Sequence, residues 1–138
     1  MHAEPVKSVK LMSTDMNGTH AMVYSDGQAS EFKEGELLKL TCTVNGSYPA
    51  PKVKVVAGGE RDLTSLFQRT ETLHRVGATE GFQELYYEVQ LVNKKMSIDY
   101  DFDRQQLKCI ATLAETNFEA KSMAINISLT GCEEELYD

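Results

Sequence analysis

The chain has 138 residues, 41% of them hydrophobic and 25% charged, the balance of a single globular domain with enough apolar mass for its own core. A total of 14 basic against 21 acidic residues leaves a net charge of −7, which argues against nucleic acid or an anionic membrane surface as partner. No window approaches the roughly 18 consecutive apolar residues of a spanning helix, and the start, MHAEPVKSVK, has no apolar h-region, so no signal peptide is expected in it.

In chain order, EPVKSVKLMS is expected to be a first strand, entering from a preceding domain. The stretch from Leu11 to Phe32 is long for a connection to the next strand, and STDMNGTHAMVYSDGQA is expected as an extra hairpin or a loop, with turn signals at Asn17-Gly18 and Asp26-Gly27. From Leu38 the pattern alternates: Leu38, Leu40, Cys42 and Val44 share one face, with Lys39, Thr41 and Thr43 on the other. Asn45-Gly46 and Tyr48-Pro49-Ala50-Pro51 are read as turns, after which Val53 and Val55 face inward and Lys52 and Lys54 outward. ELYYEVQLV places Leu85, Tyr87, Val89 and Leu91 on one face. NKKMSIDYDFDR is polar and suits a single helical turn. QLKCIATL and SMAINISL close the pattern, with Leu107, Cys109 and Ala111 inward on the first and Met123, Ile125, Ile127 and Leu129 inward on the second.

One apolar and one polar face per strand is what antiparallel sheets packed on one side require. Many short strands at even spacing then predict an all-β sandwich or barrel. The expected domain runs from residue 4 to 130, leaving 131–138, GCEEELYD, as an acidic tail or linker.

Cys42 and Cys109 lie on the inward faces of different strands, and Cys132 follows the last one. They are either incidental thiols, since free cysteine is a common core residue, or they include a bridge between two sheets, worth about 4 kcal/mol for a loop of this length. Three sequons, at Asn17, Asn45 and Asn126, fit a secreted protein better than a cytosolic one. Asn17 and Asn45 are expected in turns, and Asn126 outward on the last strand.

EGELLKLTCTVNGSYPAPKVKV resembles the second-strand region of immunoglobulin domains of the I-set or C2-set kind, and DFDRQQLKC resembles the partner region, with Asp103 and Cys109 in the matching places. The resemblance spans residues 4–130 and implies an immunoglobulin-like antiparallel β-sandwich of about seven strands in two sheets, with a core disulfide between Cys42 and Cys109. Two positions depart from the family. Its tryptophan falls at Val55 in a chain without tryptophan, and its tyrosine before the second cysteine is Leu107. Phe67, Tyr87 or Phe102 are expected to fill the missing volume, and Asp103 to pair with Arg61, Arg69 or Arg75.

The resemblance further implies a binding module rather than an enzyme: an extracellular domain of a cell-adhesion molecule or receptor that recognises a protein partner, homophilic or heterophilic. The alternative is an intracellular I-set module of a muscle-type scaffold, whose cysteines often stay reduced. The expected partner face is the outward side of the third, sixth and seventh strands: Lys52, Lys54, Val56, Lys108, Ile110 and Thr112. Cys132 is left as a tail thiol or an interchain link. No cofactor or metal is expected. His2, His20 and His74 are dispersed, AGGERD lacks the Lys-Ser/Thr of a phosphate loop, and Asp99, Asp101 and Asp103 lack the glycine and glutamate of an EF-hand.

Overall fold

A computed structural model describes residues 3–77 and 84–130. In chain order its strands are β1 (Ser8–Asp15), β2 (Ala21–Val23), β3 (Gln28–Lys33), β4 (Glu36–Ser47), β5 (Lys52–Ala57), β6 (Arg61–Asp62), β7 (Gln68–Val76), β8 (Glu84–Ile98), β9 (Gln106–Thr112) and β10 (Lys121–Thr130). They form two five-stranded sheets, ordered β2-β1-β4-β8-β7 and β3-β10-β9-β5-β6. All neighbours are antiparallel except β3, which runs parallel to β10.

The inward residues of the alternating strands meet between the sheets. Leu38, Leu40, Cys42 and Val44 of β4, Val53 and Val55 of β5, Val89 and Leu91 of β8, and Leu107, Cys109 and Ala111 of β9 are all buried in one cluster. Ile125, Ile127 and Leu129 of β10 join them. A sheet buried on one face fixes its register through this alternation, because a slip of one residue would turn every apolar side chain to water.

Ten strands exceed the expected seven: β2, β3 and β6 are additions of two to six residues, and nine-residue β7 forms in a stretch where no strand is expected by position. The stretch after Leu11 holds both β2 and β3. The first is the expected extra hairpin with β1, pairing Met12 with Val23 and Thr14 with Ala21. The chain then crosses to the opposite sheet as β3. The segment from Asn93 to Arg104 divides: β8 continues to Ile98, and only Tyr100–Phe102 forms a helical turn, of the 3₁₀ kind. Between the pairs Leu38–Met96 and Leu40–Asn93 the register shifts. This bulge reverses the parity of β8, so that Met96 and Ile98 are buried although Val89 and Leu91 set the opposite phase.

Candidate functional site

Cys42 of β4 and Cys109 of β9 are joined by a disulfide across the two sheets, with their Cα atoms 6.5 Å apart and neither residue exposed. Val55 stands beside it as the register partner of Cys109 and is fully buried. Phe67 and Phe102 lie in the same core. Tyr87 does not: it is half-buried and stacks on Tyr48, with ring centroids 5.8 Å apart. Asp103 also differs from expectation, since it pairs with none of the three arginines. Its Oδ1 accepts a hydrogen bond from the Leu129 amide at 2.8 Å, tying the turn before β9 to β10. Arg61 reaches Asp101 instead, at 3.6 Å, and lies over the Phe102 ring at 4.6 Å. Arg69 pairs with Glu71.

On the far side of the disulfide, β5, β9 and β10 present an outward face. The ladder sets Lys52 opposite Thr112, Lys54 opposite Ile110 and Val56 opposite Lys108. These six side chains therefore form two adjoining rows on one surface. Lys52, Lys54 and Thr112 are exposed, while Val56, Lys108 and Ile110 are half-buried among their neighbours. Val56 and Ile110 thus lie diagonally across two neighbouring rungs whose other positions are Lys54 and Lys108, with Lys52 and Thr112 on the next rung.

Both margins of this face come from residues that alternation alone does not reveal. On one side Asp62 of β6 pairs with Val56, and its carboxyl is held below the usual range chiefly by hydrogen bonds from Thr64, with Lys54 adding a smaller electrostatic pull. The chain after β6 folds back and seals the edge of β5, the Leu63 amide donating to the Val55 carbonyl at 2.7 Å and Val55 donating to Thr64 Oγ1 at 3.0 Å. On the other side the turn before β3 makes a lip. Gly27 donates to the Ala124 carbonyl at 2.7 Å, and the Ala124 amide donates to Asp26 Oδ1 at 2.9 Å, which buries Ala124 on an outward position.

The three sequons occupy different settings. Asn17 is exposed in the turn between β1 and β2. Asn126 is exposed on β10, and its Nδ2 donates to the Gly27 carbonyl at 3.1 Å. Asn45 is not in a turn: it lies within β4, between Ser8 of β1 and Glu88 of β8. Its Oδ1 is buried with no partner. Cys132 falls outside the described residues. Among those residues, no group of three or more His, Cys, Asp or Glu side chains is placed to hold a metal, and no helix is long and apolar enough to cross a membrane.

Strands β1, β4, β8 and β7 on one sheet, β5, β9 and β10 on the other, and a bridge from the second to the sixth of these positions in the sandwich define an immunoglobulin-like fold. Among solved structures the chain is similar to the crystal structure of Rst D1-D2, with a TM-score of 0.59 and 13% identity over 93% of this chain and 51% of that one. A solved structure of tandem Ig repeats of Dlar aligns with a TM-score of 0.41 and 11% identity over 88% of this chain and 49% of that one. The chain spans about half the length of each. No family model matches it, and no curated protein does.

Proposed function

We propose that this chain is an extracellular immunoglobulin-like domain, of the I-set or C2-set kind, from a cell-adhesion molecule or receptor, and that it recognises a protein partner through the outward face of β5, β9 and β10. The domain is taken as residues 4–130, with 131–138 as tail or linker. The observation that carries the reading is the Val56–Ile110 pair flanked by Lys52, Lys54 and Lys108. Aliphatic area that can be desolvated, with charged groups beside it to set specificity, suits a protein interface. The lysines stand on a chain of net charge −7, so the face favours a partner with acidic rim groups. The core disulfide and the exposed Asn17 sequon support an oxidising, secretory setting. Recognition needs no chemistry from the domain itself, which accords with a binding role rather than an enzymatic one.

The test uses the domain secreted from insect cells, multimerised and screened against a panel of cell-surface ectodomains. An ectodomain should be captured by the wild type and lost with Ile110→Asp, while the circular dichroism spectrum stays unchanged. Free thiols at Cys42 and Cys109 in secreted material would sink the extracellular reading and favour the intracellular scaffold module.

A further inference from the structure

The two sheets have four edges, and three of them are blunted. Strand β2 is 3 residues long and β6 is 2. Strand β3 has 6, and Glu36 caps it by accepting the Lys33 amide at 3.0 Å. The fourth edge, β7, has 9 residues with neither proline nor bulge, paired to β8 in one unbroken register from Gln68–Val92 to Val76–Glu84. Among the described residues, no backbone or side-chain group satisfies its outer edge. A long regular edge left open is a template for another strand.

We propose that a second copy of this chain docks there, β7 against β7 in antiparallel fashion, joining two five-stranded sheets into one of ten strands. This surface is separate from the β5–β9–β10 face and does not rest on it.

Symmetry and charge fix the register. In an antiparallel ladder, opposed residues both turn their backbone groups toward the partner or both turn them away. A two-fold axis must therefore pass between two copies of the same residue. An axis at Glu71 sets carboxylate on carboxylate, and one at Thr72 sets Arg69 on Arg75. One at Thr70 offers Arg69 to Glu71, but that pair is already made within each chain at 2.7 Å, and the ladder is short. An axis at Leu73 sets Glu71 opposite Arg75 twice, Thr72 opposite His74, and the half-buried Leu73 opposite itself. Arg75 makes no ion pair among the described residues, and both Arg69 bonds to Glu71 fall on Oε1, so this register offers Arg75 the other carboxylate oxygen. Like charges directly opposed are destabilising and unlike ones favourable, which selects Leu73.

Sedimentation equilibrium of the whole chain carrying Cys132→Ser should show a monomer–dimer equilibrium. Glu71→Arg or Arg75→Glu should raise its dissociation constant on the order of tenfold, and the double exchange should restore it. In the same background, Leu73→Cys should oxidise to a covalent dimer, because directly opposed strand residues lie within reach of a disulfide. Thr72→Cys, set against His74, should not. A chain that stays monomeric at millimolar concentration would overturn the proposal. So would a dimer indifferent to the charge exchanges but broken by Lys54→Glu, or cross-linking at Thr72→Cys as efficient as at Leu73→Cys.

Discussion

The bridged centre of the sandwich and its N-terminal quarter are built by different means. In the centre, β4, β5, β9 and β10 turn alternate apolar side chains into the core, apart from the β4 bulge at Gly46 and Ala124 under the Asp26–Gly27 lip, and are stapled by Cys42–Cys109. From Ser13 to Gln28, order depends on individual polar bonds. Tyr24 is buried, and its hydroxyl meets Ser13 Oγ at 2.7 Å. Asp15 gathers the turn, accepting hydrogen bonds from the Thr19 amide, the Thr19 hydroxyl and the His20 amide. Apolar burial holds the first region collectively, so it tolerates the loss of an aromatic lid at Val55. The second region hangs on a few hydrogen bonds, each of which can be removed singly.

The sharpest way to break this contrast is at the bridge. Cys42→Ala with Cys109→Ala should lower the unfolding free energy by about 4 kcal/mol, mostly through the freed unfolded chain. Urea denaturation followed by circular dichroism measures it, and a loss below about 1 kcal/mol would show that packing alone carries the centre.

A middle-sized effect is expected at Tyr24. Tyr24→Phe strands the Ser13 hydroxyl in a buried place and should cost about 1–3 kcal/mol. Burial raises the Tyr24 phenol above its ordinary value of 10.0. Its folded form therefore holds the proton longer than the unfolded chain, and the associated stability is intact below pH 10 and is lost as pH rises through the folded value. The wild type should accordingly lose stability in alkali more steeply than Tyr24→Phe, as thermal melts between pH 8 and 11 would reveal. Equal slopes would show that the phenol is not the group responsible.

The smallest effect is local. Hydrogen bonds from the Thr19 hydroxyl first and the His20 amide next hold the Asp15 carboxyl well below its ordinary value of 3.8. Stabilisation of the turn is therefore present above that value and disappears as pH falls through the folded one. Amide exchange at Thr19 and His20 should quicken in strong acid while that of Leu40 and Cys42 holds, and Asp15→Asn should show the quickened exchange already at neutral pH. Simultaneous loss of protection in both places would mean that turn and core open as one unit.

The same contrast explains what the sequence revealed. Alternation over β4, β5, β9 and β10 is legible because one-sided burial demands it, and the outward set from Lys52 to Thr112 follows from the same parity. Asn45-Gly46 misled for a physical reason. Gly46 does take a positive φ of 105°, as a turn would require, but inside a bulge of β4, where a Cβ would lie 2.6 Å from Lys7 Cγ. Turns and bulges demand the same residue. The parity switch of β8 before Met96 is hidden likewise, since nothing in Asn93-Lys94-Lys95 announces an extra residue. Strand β3 pairs with β10 from the far end of the chain, so the Asp26-Gly27 turn is legible but its place as a lip beside the candidate face leaves no local trace.

The bridge also governs how the domain would yield to tension. Glu4 is held beside Tyr48, where β4 ends, whereas Thr130 lies beside Glu34, just before β4 begins, so the two poles of the sandwich carry the two ends of the described chain. A pull between them runs along the strands, loading the β1–β4 and β3–β10 ladders in shear rather than opening them rung by rung. If those ladders part, the disulfide still keeps the 67-residue span between Cys42 and Cys109 from lengthening. Only the flanking segments can pay out, so the oxidised domain behaves as a short-travel fuse, and reduction converts it into a long one.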